Sequence, residues 1–217
     1  MHKLYNWGFL QSLRLWLRVV SYNSDDSEMG KLAYPIVEIA IGALNFMPGV
    51  KFAPFRLHVI TCLNEFSLKS GIYIPTLPYL LEMISQIDFN KRRDPKTMKA
   101  IEFPITIKVQ KSVLKMDRYY KDLFGKIIET FYEALANVAG CLALPEITLQ
   151  TKIALKKEMR GLRNKEQKEA IKKLLAHLEE TIEIIQKERE RVDFKEFEQL
   201  ENGASLPKSN NNFRSTL

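Results

Sequence analysis

A chain of 217 residues, 46% apolar and 27% charged, has the makings of a folded domain with a sizeable core, and its composition excludes a wholly disordered polypeptide. No stretch is apolar and uncharged for long enough to span a bilayer, and the opening run "MHKLYNWGFLQSLRLWLRVV" carries arginines and lacks the small-residue cleavage site of a signal peptide. The only cysteines, Cys62 and Cys141, lie in apolar helical runs, which suits buried thiols in a reducing compartment better than a disulfide framework.

In chain order, Tyr5 to Val20 is an amphipathic helix with Phe9, Leu13, Trp16, Leu17 and Val20 on one face and Gln11, Arg14 and Arg18 opposite. The polar loop "SYNSDDSEMG" follows. "KLAYPIVEIAIGALNFMPG" is apolar almost all round, the pattern of a helix buried between neighbours. Pro35 starts or kinks it, and Pro48-Gly49 ends it. In the next helix Phe55, Val59, Cys62 and Phe66 share a face while Arg56, Glu65 and Lys69 point elsewhere. Gly71 fits a left-handed cap at its end, and Thr76 fits a cap for the next helix, whose first turn tolerates Pro78.

"QIDFNKRRDPKTMKAIEFPITIKVQKSVLKMD" breaks the rhythm with two prolines and one alternating run, "ITIKV". It reads as a long basic connection, about 88–116, with little regular structure. Helices resume at Asp117 with the stripe Tyr120, Phe124, Ile127, Phe131, Leu135, Val138 and Leu142. Pro145-Glu146 opens another that runs to about Arg160. The last begins near Glu166 and aligns Ile171, Leu174, Leu178, Ile182 and Ile185. From "KERERVDF" onward the stripe thins. The expected organisation is a helical repeat-like domain over 1–194 and a disordered polar tail over 195–217. About seven helices with mostly short links and no βαβ alternation make an all-α protein, and consecutive helix pairs fit an α-solenoid of HEAT or armadillo type.

The net charge of +7 is unevenly placed: +7 from Lys91 to Lys126, +6 from Lys152 to Lys173 and −5 from Glu179 to Glu201. Such blocks imply polyanion contact or charged partner surfaces, with solvated helix faces as the plain alternative. Enzyme chemistry finds no constellation. His2, His58 and His177 lack metal-ligand spacing, the two cysteines form no CxxC pair, and no phosphate-binding glycine loop occurs. His58 reads as a structural histidine, and Glu129 and Glu133 as solvated charge beside Lys126. The remaining candidates are binding surfaces. Lys91, Arg92, Arg93, Lys96, Lys99, Lys108, Lys111 and Lys115 of the basic connection suit RNA phosphates. Phe89, Phe103 and Tyr119 could stack on bases, but anchoring to the helical body is the favoured reading.

"YNWGFLQSLRLWLRVVS", "LAYPIVEIAIGALNFMPGVKFAPFRLHVITCLNEFSLKSGIYIPTLPYLLEM", "QIDFNKR" and "KERERVDF" resemble the nucleolar complex protein two family in order and spacing, across most of Tyr5 to Phe194. "LPEIT" at Leu144 to Thr148 is similar to the family's "FPELV", and "KMDRYYKDLFGKIIETFYEAL" is a looser match. The resemblance implies a nucleolar and nucleoplasmic scaffold of HEAT-like helices, without cofactor, small-molecule substrate or membrane. It would bind nucleolar complex proteins one and three on precursors of the large ribosomal subunit. A direct RNA-binding module is the alternative, and an α-helical enzyme is disfavoured. The chain looks like the later portion of the family's conserved region. An apolar face that a neighbouring helix would cover is therefore expected on the helix of Trp7 and Trp16.

Overall fold

A computed structural model describes residues 5–23, 27–46, 48–95 and 101–191; the tail expected from 195 onward lies outside them, as do Lys96 and Lys99. All regular elements among the described residues are helical: α1 (Trp7–Tyr22), α2 (Ser27–Gly30, a single turn), α3 (Ala33–Phe46), α4 (Ala53–Ser70), α5 (Leu77–Gln86), α6 (Asp117–Val138), α7 (Leu144–Gly161) and α8 (Lys165–Arg191). Short 3₁₀ turns occupy Val50–Phe52, Phe103–Ile105 and Val113–Lys115. No described helix is long and apolar enough to cross a membrane. The chain divides into two compact units, Met1–Thr130 and Phe131–Leu217, with the boundary inside α6.

In the first unit α1, α3 and α4 pack on one another. The α4 helix is the hub, because Phe55, Leu57, Val59, Ile60, Cys62, Leu63 and Phe66 are buried around its whole circumference. Each such side chain contributes about 1.5–3 kcal/mol of transfer free energy. Against it, α1 buries Leu10, Leu13, Leu17, Val20 and Ser21. This stripe is rotated from the one the sequence suggests. Leu10 takes the inner position, Phe9 is half-buried, and Trp16 is exposed. Asn6 fixes the start of α1, its side-chain oxygen accepting the Phe9 N–H at 2.8 Å.

Two expectations at α4 and α5 are corrected. Arg56 does not point away from the core: it is 1% exposed, donates to the Glu82 carboxylate at 2.6 Å and reaches the Pro48 carbonyl at 3.4 Å. The Thr76 hydroxyl does not cap α5. It is buried and donates to the Asn64 side-chain oxygen at 2.7 Å, tying the start of α5 to α4. Both polar groups are claimed by tertiary partners that local sequence does not display. The Gly71 cap is as expected: with φ at 72° it turns the chain out of α4 while its N–H bonds to the Ser67 carbonyl at 3.0 Å.

The second unit holds the end of α6 with α7 and α8. The core combines Phe131, Leu135, Leu144, Leu155, Ile171, Leu174, Leu178 and Ile185. The α7 and α8 helices pack along each other as a hairpin. Asn164 opens α8, accepting the Glu166 N–H on its side chain at 2.8 Å. At the hairpin's other end Arg189 donates to the Leu142 carbonyl and the Glu146 carboxylate, both at 2.7 Å. That bidentate grip fixes the end of α8 against the α6–α7 turn.

Candidate partner and nucleic-acid surfaces

The basic connection is not a free loop. Its two ends are closed by a parallel bridge, in which Asp94 N–H donates to the Lys115 carbonyl at 3.0 Å and Asp117 N–H to the Asp94 carbonyl at 3.1 Å. Its middle is strapped to the start of α4. The Phe55 N–H, which has no partner within its own helix, donates to the Ile107 carbonyl at 3.2 Å, and the Val109 N–H donates to the Lys51 carbonyl at 3.0 Å. The extended run "ITIKV" therefore pairs with a helix end and not with a strand. Phe103 and Val109 are buried, and Tyr119, also buried, donates its hydroxyl to the Val50 carbonyl at 2.8 Å. Phe89 stands edge-on to Tyr120 and Phe124. All three aromatic candidates for base stacking are thus engaged as anchors.

The cations separate into two kinds. Lys91, Arg92, Lys108, Lys111 and Lys115 are exposed on the connection. Arg93 is half-buried, with its guanidinium 3.3 Å from the Tyr120 ring centroid and bonded to the carbonyls of Lys91 and Asp88. It holds the loop's entry in place. The structure thus brings five of the eight sequence candidates to one solvated loop, and leaves Arg93 in a positioning role.

His58 joins this strap to α4. Its Nε2 lies 3.1 Å from the Thr106 carbonyl, so the proton sits on Nε2, and Trp7 covers the ring edge-on at 5.4 Å. Burial, only partly offset by the carbonyls of Thr106 and Phe103 and reinforced by Arg14 and Lys126, holds the imidazole below its ordinary pKa of 6.5. A group that folds in its neutral form loses stability on acidification, because the unfolded chain takes up the proton first. Stability should therefore fall as pH drops below about 6.5, with a slope of at most about 1.4 kcal/mol per pH unit. His58→Gln should flatten this limb in urea titrations run from pH 7 to 5. Glu65 acts in a lower window: burial opposes its ionisation, but hydrogen bonds from Lys69 and Arg18 hold the carboxyl below its ordinary 4.5. Burial pushes the Cys62 thiol up to about 11, an inert position.

A surface that sequence reasoning missed lies on α3. This helix buries only Ala40, Ala43 and Leu44, while Tyr34, Ile39 and Phe46 are 75%, 55% and 54% exposed. Glu38 is its one charged side chain. Leu15 and Trp16 of the adjacent α1 are exposed as well, whereas Trp7 is engaged with His58. Apolar content signalled burial, and nothing in it tells a helix covered by its own chain from one covered by another.

A family model described as the Noc2p family matches residues 1–212. Nucleolar complex protein 2 of Drosophila melanogaster is 26% identical over 186 residues, which cover 86% of this chain and 24% of that protein. Nucleolar complex-associated protein 2 of Arabidopsis thaliana is 24% identical over 192 residues, 88% of this chain and 25% of that protein. An uncharacterised member of the family from Schizosaccharomyces pombe is 30% identical over 200 residues, covering 88% and 37%. The chain spans about a quarter of the length of the first two relatives.

Proposed function

Because this chain belongs to the Noc2p family, we propose that it is a non-enzymatic protein-binding scaffold of large ribosomal subunit assembly, acting in the nucleolus and nucleoplasm through HEAT-like helix pairs. Relatives that carry nucleolar complex names support the setting. The observation that carries the binding role is α3, an apolar helix with most of its circumference open to solvent. Contiguous apolar surface of this kind marks a protein interface far more often than idle surface. Aromatic and aliphatic side chains around a single carboxylate suit the centre of such an interface. The partners are the sister nucleolar complex proteins one and three, met on a pre-ribosomal particle.

The test is recovery of tagged chain from nuclease-treated cell extract, beside a variant carrying Tyr34→Glu and Ile39→Glu. Both positions are exposed, so the variant should melt as the parent does. The parent should bring down the sister proteins and the variant at least about tenfold less, since two charges at an interface centre cost several kcal/mol. Equal recovery by both chains rejects the α3 surface. A second reading rests on the five exposed cations of the strapped connection, which present a positioned phosphate-binding loop. It predicts that nuclease treatment releases material held through Lys91, Arg92, Lys108, Lys111 and Lys115, and fails if recovery is unchanged by nuclease.

A further inference from the structure

The second unit carries a separate basic stripe whose arrangement becomes visible only through one acid. Glu179 of α8 accepts from Lys152 and Lys156 of α7, each at 2.9 Å. This contact identifies the flank of the hairpin on which the two α7 lysines lie. Lys172, Lys168 and Lys165 precede Glu179 by 7, 11 and 14 positions. At 3.6 residues per turn those offsets return to within about 40° of Glu179, so all three lie on that same flank. Glu166 and Glu169, the acids between them, sit about 80–140° further round the helix. Lysine therefore lines this flank toward the α7–α8 turn, and Glu179, the acid that ends the run, is already held by two lysines.

We propose that this flank, formed by Lys152, Lys156, Lys165, Lys168 and Lys172, binds a nucleic-acid phosphate backbone without reading its bases. The residue types select nucleic acid over an acidic protein. Protein interfaces are centred on apolar and arginine anchors and are poor in lysine. The exposed large apolar residues among the described part of α7 and α8, Leu149 and Ile153, lie beside Lys152 at the end of the stripe far from the turn, and none accompanies Lys165, Lys168 and Lys172. Lysine is a mobile point charge that meets a phosphate from many angles and carries no bidentate code. No exposed aromatic ring accompanies the stripe among the described residues, so stacking on bases contributes nothing.

The proposal does not depend on the α3 surface or on the connection in the first unit, and its test leaves both untouched. Binding of the full chain to a 20-base-pair RNA duplex of arbitrary sequence is titrated across salt concentration. Lys165→Gln, Lys168→Gln and Lys172→Gln together should weaken binding several-fold and lower the slope of log K against log salt by about two units or more, near 0.7–0.9 per phosphate lost. Glu179→Gln frees Lys152 and Lys156 and should tighten binding and steepen the slope, a gain that unfolding could not mimic. A second duplex of unrelated sequence should bind equally. An unchanged slope in the triple variant, no gain in Glu179→Gln, a marked preference between the duplexes, or equal competition by a poly-glutamate peptide of matched charge would each overturn it.

Discussion

Replacing Glu82 with alanine is expected to destabilise the first unit by about 3–5 kcal/mol, more than replacing its fully buried partner Arg56 with methionine. Glu82 is 34% exposed on its side chain and Arg56 1%, so a burial ranking alone gives the opposite order. The charges decide. With Glu82 present, Nη2 of Arg56 has a 2.6 Å bond to a carboxylate and Nη1 a long contact with the Pro48 carbonyl, while Nε has no partner among the described residues. Removing the carboxylate leaves a desolvated guanidinium with one weak acceptor. Arg56→Met removes the cation itself and fills much of the same volume, and the carboxylate left behind can hydrate. That variant should fall within about 1.5 kcal/mol of the parent. Urea unfolding of both variants at pH 7 checks the order. A cost for Glu82→Ala below that of Arg56→Met means the guanidinium is hydrated in solution and the burial argument fails.

Arg56 also marks where local sequence stops being informative. The α6 and α8 stripes were largely legible because tertiary packing demands what the periodicity already offers: Tyr120, Phe124, Ile127, Phe131, Leu135 and Val138 are all buried, while Leu142, read as the end of the α6 stripe, falls half-buried in the turn beyond that helix. Gly71 was legible because its conformation is a property of one residue. Arg56 and Thr76 were not, because each is claimed by a partner on another helix, and a polar residue's partner is not written beside it. The α1 stripe went astray at Trp16 for a related reason. A large apolar ring next to the buried arc can lie inside or out, and only the neighbouring helices decide.

The candidate surfaces divide in the same way. Charge blocks were plain in the sequence, and five of the eight candidate cations of the connection do reach solvent on one loop. What the sequence withheld was the loop's order. Two of its fastenings pair backbone with backbone about 50 residues away, the Phe55 N–H with the Ile107 carbonyl and the Val109 N–H with the Lys51 carbonyl, and such groups are the same in every residue type. The third sets the His58 ring on the Thr106 carbonyl, an acceptor that any residue would offer. The α3 surface was hidden by the opposite problem, since a strong apolar signal was present and its covering partner was not.

The fastening itself should be separable from the fold. Phe103→Ala is expected to release the connection from α4 at a cost of about 3 kcal/mol, the low end for a buried phenylalanine, because a loop can collapse into the space left. The physical case rests on what orders this segment. Its bonds to the Phe55 N–H, the Lys51 carbonyl and the His58 ring replace bonds to water and contribute little net, so burial of Phe103 and Val109 does most to balance the entropy of holding the backbone beside them against α4. Removing the larger anchor tips that balance locally. Hydrogen exchange should show the amides of Phe55 and Val109 losing about 100-fold of their protection, which is about 3 kcal/mol at 1.4 kcal/mol per tenfold. The amide of Leu63, in the middle of α4 and with its side chain fully buried, should keep its own. Equal loss at Leu63 would mean that the strap and the helical cluster open as one unit. Unchanged protection at Phe55 would mean that Val109 and the bridge at Asp94 hold the loop without Phe103. In the expected outcome the lysines remain but their placement is lost, so a fall in RNA affinity with the salt slope preserved would tie phosphate binding by the connection to the order that Phe103 imposes.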